Sequence, residues 1–176
     1  TILSRTQVFS MRPVASDDLT YILEVHYQAE PDHARLLARI SSGRIGWAIR
    51  ALRDPQILAQ RDEALTQLEQ VIRMSRFERF KVAESLAKDK AEMAATLELW
   101  QTYWRDLALL TQDARVKLCN IDRHVTLQQM AYDVTAEQAL HALKATQAAL
   151  RTLQTNANPR LLAETVMLDY PGLARE

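Results

Sequence analysis

Glycine is scarce: three in 176 residues, at positions 43, 46 and 172. No glycine-rich phosphate loop can be built from that spacing, so the chain carries neither a Walker-type nucleotide loop nor a dinucleotide fingerprint. Cysteine occurs once, at Cys119. That excludes an intramolecular disulfide framework and a four-cysteine zinc site, and it suits a reducing cytosol. An excess of either charge is also missing, with 22 basic against 22 acidic residues. A protein that wraps DNA by its own field shows a basic excess. Long apolar runs are absent too. The longest uncharged stretch is the nine residues His124 to Tyr132, against about 20 for a membrane-spanning helix, so no membrane partner is expected.

What is present is 48% hydrophobic and 25% charged residues, the composition of a folded, soluble chain rather than a disordered one. The first residue is Thr1 rather than methionine and no basic-then-apolar leader follows. A piece of a longer protein is expected on that ground.

Periodicity predicts an all-α fold. Residues 6–12 alternate like a short strand, with no partner strand within reach, and read as a remnant of a sheet that lies upstream. After Pro13 the period becomes helical. Ser16 is a candidate cap, with Asp17 and Asp18 in the favourable first turn. Leu19, Ile22, Leu23 and Tyr27 form one stripe. Pro31 ends that helix and Asp32 is a candidate cap for the next, which carries Leu36, Leu37 and Ile40. A third short helix holds Ile45, Ala48, Ile49 and Leu52. Asp54-Pro55 is a strong helix start, and Leu58, Leu65, Leu68 and Ile72 continue from it. Ser75 to Glu78 and Thr135 to Gln138 both match the capping box. Between them, Met93, Leu97, Trp100, Trp104 and Leu107 repeat at four, three, four and three residues, the seam of a bundle. Residues 113–123 read as a loop. Asn158-Pro159 opens the last helix, which is expected to end near Pro171-Gly172.

Four segments carry a resemblance: Thr1-Ile2-Leu3-Ser4-Arg5-Thr6-Gln7, Ser42-Gly43-Arg44-Ile45-Gly46-Trp47-Ala48, Leu86-Ala87-Lys88-Asp89-Lys90 and Asn156-Ala157-Asn158-Pro159-Arg160-Leu161. Each is weak alone. In this order, over essentially the whole chain, they resemble the carboxy-terminal two-thirds of bacterial clamp-loader subunits of the AAA+ class, best the delta-prime subunits of DNA polymerase III. The resemblance implies three parts: 1–13 as the end of a nucleotide-binding domain, 14–53 as the helical lid, and 54–176 as the collar by which loader subunits form a ring. It maps the family's Ser-Arg-Cys motif onto Ser4, Arg5 and Thr6, with threonine in place of the cysteine. Arg5, with Ser4 beside it, would then be an arginine finger acting in trans on a neighbour's ATP, a task suited to a forked guanidinium. ATP-hydrolysing relatives carry an arginine in the lid's third helix where this chain has Gly46, which fits delta-prime. The implied partners are other loader subunits, and, through the whole complex, the sliding clamp and primed DNA. The implied location is cytoplasmic. The alternative is the lid and collar of the motor subunit of such a loader, or of another AAA+ ATPase.

Other clusters compete less well. Arg73, Arg76, Arg79 and Lys81 bracket Phe77 and Phe80, which suggests phosphate contacts with aromatic stacking. A solvated helix face with both phenylalanines in the core is the simpler reading, and the sequence favours it. Cys119, Asp122 and His124 supply a nucleophile, an acid and a base, but they lie too close along the chain for a usual triad. His26 and His33 make a poor metal pair across a proline break, so neither a metal site nor a cofactor is expected. Trp100 and Trp104, one turn apart, read as core.

The missing phosphate loop makes a direct prediction. This chain is expected to be no enzyme by itself and to give no heat of binding with magnesium-ATP in calorimetry. Micromolar binding would overturn it. The ATP-driven activity would belong to the parent polymerase III holoenzyme.

Overall fold

The computed structural model describes residues 12–112 and 117–173. Among these there are nine α-helices and no strand. The strand expected at 6–12 lies almost wholly outside the described residues. The contacts divide the chain into two compact units that meet at Asp54 and Pro55.

The first unit holds α1 (Ser16–Tyr27), α2 (Pro31–Ile40) and α3 (Ile45–Arg53). Its core is small: Leu19 and Leu23 from α1, Ala34, Leu37, Ala38 and Ile40 from α2, and Ala48 and Ala51 from α3. Two expected caps are corrected. Ser16 lies inside α1, and the capping position is Ala15, whose side chain has nothing to offer. Helix α2 is capped by Glu30 rather than Asp32. The Glu30 carboxylate accepts from the His33 backbone N–H at 2.9 Å, and Pro31 occupies the first helical position, where its missing N–H costs nothing. Helix α1 ends by placing Gln28 in the left-handed region, at φ 54°, so the break comes before Pro31.

The turn from α2 to α3 depends on Gly43. It stands at φ +81°, and a Cβ there would lie 2.6 Å from the Pro13 Cβ and 2.7 Å from the Val14 carbonyl oxygen. That close approach lets the Val14 N–H donate to the Gly43 carbonyl at 3.0 Å. Gly46 is the opposite case, because a Cβ added there meets nothing within 4 Å.

The second unit holds α4 (Pro55–Val71), α5 (Arg76–Leu86), α6 (Lys90–Leu110), a 3-10 turn (Ile121–Arg123), α7 (His124–Asp133), α8 (Ala136–Leu153) and α9 (Pro159–Asp169). Both expected capping boxes form, at Ser75 with Glu78 and at Thr135 with Gln138. Asp89 caps α6 by accepting from the Ala91 and Glu92 N–H groups at 2.7 and 3.0 Å. Asn158 does the same for α9. Helix α6 is the axis of the bundle and packs on α4, α5, α7 and α8. Its expected seam of Met93, Leu97, Trp100, Trp104 and Leu107 is wholly buried. Opposite it, α8 turns inward Ala139, Ala142, Thr146 and Ala149. Large rings on one helix against small side chains on the other let the two backbones approach closely while filling the space between. The Trp104 ring lies 5.0 Å from that of Tyr170 and the Trp100 ring 5.9 Å from it, so the segment after α9 closes the core. The Trp100 indole N–H donates to the Ala64 carbonyl at 2.7 Å, tying α6 to α4.

Replacing Gly43 by alanine adds a strained φ to a backbone clash. The substitution is expected to destabilise the first unit by roughly 1–3 kcal/mol, whereas Gly46→Ala is expected to be neutral or stabilising by about 0.5 kcal/mol. Thermal unfolding of the two variants checks the contrast. Equal effects would show that the turn does not hold the unit together.

Candidate functional site

Two arginine-centred networks fix the surfaces of the second unit. In the first, the Arg79 side chain on α5 is buried, and its guanidinium reaches five backbone carbonyls. Nη2 donates to Ile72 at 3.0 Å and to Pro171 at 2.7 Å, Nη1 to Met167 at 3.0 Å and to Tyr170 at 2.9 Å, and Nε to Met74 at 3.3 Å. These oxygens belong to the carboxy-terminal ends of α4 and α9, where carbonyls have no partner in their own helix and the helix dipole is negative. Among the described residues no carboxylate lies within ion-pair distance of Arg79. Burial and the neighbouring Arg76 charge push its pKa down from the ordinary arginine value. The Leu173 N–H adds a bond to the Ile72 carbonyl at 2.7 Å.

The second network holds the segment before α7. Asp106 on α6 is fully buried. Its Oδ2 accepts from the backbone N–H groups of Cys119 and Asn120 at 2.9 and 2.7 Å and from the Asn120 Nδ2 at 2.9 Å. Its Oδ1 accepts from Arg105 at 2.7 Å. Arg61 on α4 forks onto both oxygens of Asp122, at 2.7 and 3.1 Å, and donates to the Asn120 Oδ1 at 2.6 Å. Arg123 pairs with Asp62 and, at 3.2 Å, with Glu69. The Glu69 pKa is raised, chiefly by burial, and the Tyr103 hydroxyl beside it is also driven up by burial.

These networks account for the Cys119, Asp122 and His124 cluster. Asp122 is committed to Arg61. The Cys119 sulfur takes a long 3.4 Å contact from Arg105, and His124 opens α7 on the exposed surface. The structure does not bring the three together as a catalytic set. Among the described residues no group of histidine, cysteine, aspartate and glutamate is arranged to hold a metal, and His26 and His33 stand apart on α1 and α2. Ser4 and Arg5 lie outside the described residues.

Two outward faces stand out. On α7 and the turn before it, Ile121, Val125 and Tyr132 are exposed, Tyr132 at 91%, with Gln128 and Gln129 exposed between them. Val125, Gln128, Gln129 and Tyr132, at spacings of three, one and three residues, lie along one side of α7 as an uncharged ridge, with Ile121 in the turn before it and the exposed Asp122 and Asp133 at its edges. Sequence reasoning missed this ridge. The signal was the nine-residue uncharged run, which had been weighed only as a membrane span. Among the described residues no helix is long and apolar enough to cross a membrane. The second face is on α5, and it corrects an expectation. Phe77 is 69% exposed and Phe80 36%, so neither belongs to the core. Arg79 takes the inward position instead, on the same helix side as Ala83 and Leu86.

Residues 55–170 match the family described as DNA polymerase III, delta subunit, C terminal. The chain belongs to this family. Its second unit is therefore a carboxy-terminal domain of a polymerase III clamp-loader subunit. No curated protein and no solved structure matches the chain. The family match begins at Pro55, the first residue of the unit that holds both networks and both outward faces.

The Arg79 arrangement gives a stability prediction for this clamp-loader domain. Arg79→Met keeps most of the side-chain volume but removes the donor to five carbonyls, of which Ile72 keeps the Leu173 N–H, and it is expected to cost about 3–5 kcal/mol in urea unfolding. Arg79→Lys cannot reproduce the fork and is expected to fall between the two. A loss below about 1 kcal/mol for Arg79→Met would show that water satisfies these carbonyls equally well.

Proposed function

We propose that this chain is the lid-and-collar part of a delta-prime-type subunit of the polymerase III clamp loader, and that its second unit serves assembly. The family match over 55–170 carries the clamp-loader part of this reading. The finer assignment rests on Gly46, which stands where motor subunits of the resembled class have an arginine. A Cβ added at Gly46 would meet nothing within 4 Å, so packing does not dictate the glycine. The alternative, the lid and collar of the ATP-hydrolysing motor subunit of such a loader or of another AAA+ ATPase, would go with an intact phosphate loop in its nucleotide-binding domain.

In this reading the chain hydrolyses no ATP and works in the cytoplasm beside the replication machinery. Arg5, with Ser4, would reach the nucleotide bound by a neighbour in the ring. The collar would hold the ring together while partner subunits open the sliding clamp and place it on primed DNA. The ridge on α7 is the surface best suited to that contact. Depletion of charge, with an exposed tyrosine at its end, is the composition of the buried centre of protein interfaces. Stable interfaces bury on the order of 1,600 Å² in total, so exposed apolar side chains elsewhere on the unit would have to join it. Leu140, exposed on α8, is the first candidate.

The test is size-exclusion chromatography of this chain with the other loader subunits of its source. Co-elution is expected for the native chain. Tyr132→Glu, which places a charge at the most exposed point of the ridge, is expected to weaken assembly by at least about tenfold without changing the melting temperature. A chain that elutes alone would remove the assembly reading. Unaltered assembly by the variant would move the contact off α7.

A further inference from the structure

The amino-terminal half of α5 has a composition that the assembly reading leaves unused. Phe77 projects into solvent, and Phe80 sits one turn along on the same side. The Lys81 ammonium lies 4.8 Å from the centre of the Phe77 ring. Arg76 opens the helix and Arg73 stands in the turn before it, both exposed. Two acidic residues lie close to them along the chain: Glu69, whose charge interacts with Arg73, and Glu78, whose carboxylate is tied back to the Ser75 N–H at 2.9 Å and the Ser75 hydroxyl at 2.7 Å. On the inward side of the same helix, Arg79 donates to backbone carbonyls and, among the described residues, to no carboxylate. The outcome is an apolar anchor point set in a locally positive field, on a chain whose formal net charge is zero.

We infer that this face of α5 binds an acidic peptide segment of a partner protein that inserts an apolar side chain against Phe77 and Phe80. Charge complementarity selects the acid: Arg73, Arg76 and Lys81 are exposed on this helix and the turn before it, and the one exposed carboxylate between them, Glu78, already accepts from Ser75. A single-stranded nucleic acid is the competing occupant, and three observations count against it. Base stacking needs an open ring face, and Lys81 covers one face of Phe77. Farther along α5, Glu84 is exposed and paired with Arg160 of α9 at 3.4 Å, where it would meet a phosphate backbone leaving the patch. Glu164 adds a second carboxylate on Arg160, at 3.0 Å. A short peptide with its acids at the Arg73–Arg76 end avoids both.

The test uses the whole 176-residue chain on an array of short peptides. These combine aspartate or glutamate with one leucine, isoleucine, phenylalanine or tryptophan anchor, and each has a counterpart with lysine replacing every acid. A single-stranded oligothymidylate is the nucleic-acid probe. The native chain is expected to select acidic, anchored peptides over their lysine counterparts, and to lose them as salt is raised. Phe77→Ala is expected to weaken the best peptide by about tenfold. Arg76→Glu is expected to do the same while leaving the fold intact, because an acid at a helix amino terminus favours the helix. Both variants should still co-elute with the other loader subunits, which separates this site from the assembly reading. No preference for acidic peptides, or unchanged binding by both variants, would overturn the inference. Tighter binding of the oligothymidylate than of any peptide would make this a nucleic-acid site instead. Loss of co-elution by Phe77→Ala would assign the face to ring assembly and likewise end the inference.

Discussion

The second unit is organised around a buried cation whose partners, among the described residues, are backbone carbonyls rather than a carboxylate. Arg79 meets five carbonyls drawn from the ends of two helices that lie far apart in the sequence. Ile72 also accepts from the Leu173 N–H; the others depend on this guanidinium, and a buried orphan costs about 1–3 kcal/mol. A lysine would present a point charge to a ring of acceptors that needs a fork. The same contact positions Tyr170, whose ring packs on Trp100 and Trp104 and whose hydroxyl lies 2.7 Å from that of Thr146. Three sets of interactions, polar, aromatic and helix-terminal, therefore share one residue.

The rest of the bundle follows from size matching along α6 and α8. Tryptophans and leucines on one helix need alanines on the other, since two large faces would hold the backbones apart and open voids. Helices α4 and α7 also pack on α6, and ions connect α4 to the turn before α7. Arg61 and Arg123 cross from α4 and the turn before α7, and Asp106 supports the loop from α6. Each of these groups has several partners, which is the condition under which buried charge is tolerated.

Much of this was legible in the sequence, and the failures share a cause. Helix periods, both capping boxes, the Pro55 and Pro159 starts and the α6 seam are local patterns whose physics acts over three or four residues, so residue spacing reveals them. The caps at Ala15 and Glu30 were missed because serine and aspartate have the better intrinsic propensity, while the observed positions are set by where the chain turns. By its sequence pattern Arg79 belongs to a surface cluster and Phe77 to the core. Charge normally points out and aromatics in. The exception requires carbonyls from α9, about 90 positions away in the chain, and nothing in the local sequence announces them. Asp106 and Arg61 were invisible for the same reason. The α7 ridge was legible as an uncharged run, but sequence alone does not tell which side of a short helix faces solvent.

The ion network before α7 has a consequence for how the ridge would meet another molecule. Asn120, Asp122 and Arg123 are each held by side chains from α4 or α6, so the entry to α7 has few conformations left to lose. A loop-borne contact would have to be ordered at the moment of binding, at about 0.5–1.5 kcal/mol for each immobilised side chain. Here most of that ordering has already occurred on folding. Encounter at this ridge would therefore be rigid-body docking, limited by diffusion and orientation. Complexes formed on it would differ in lifetime far more than in rate of formation.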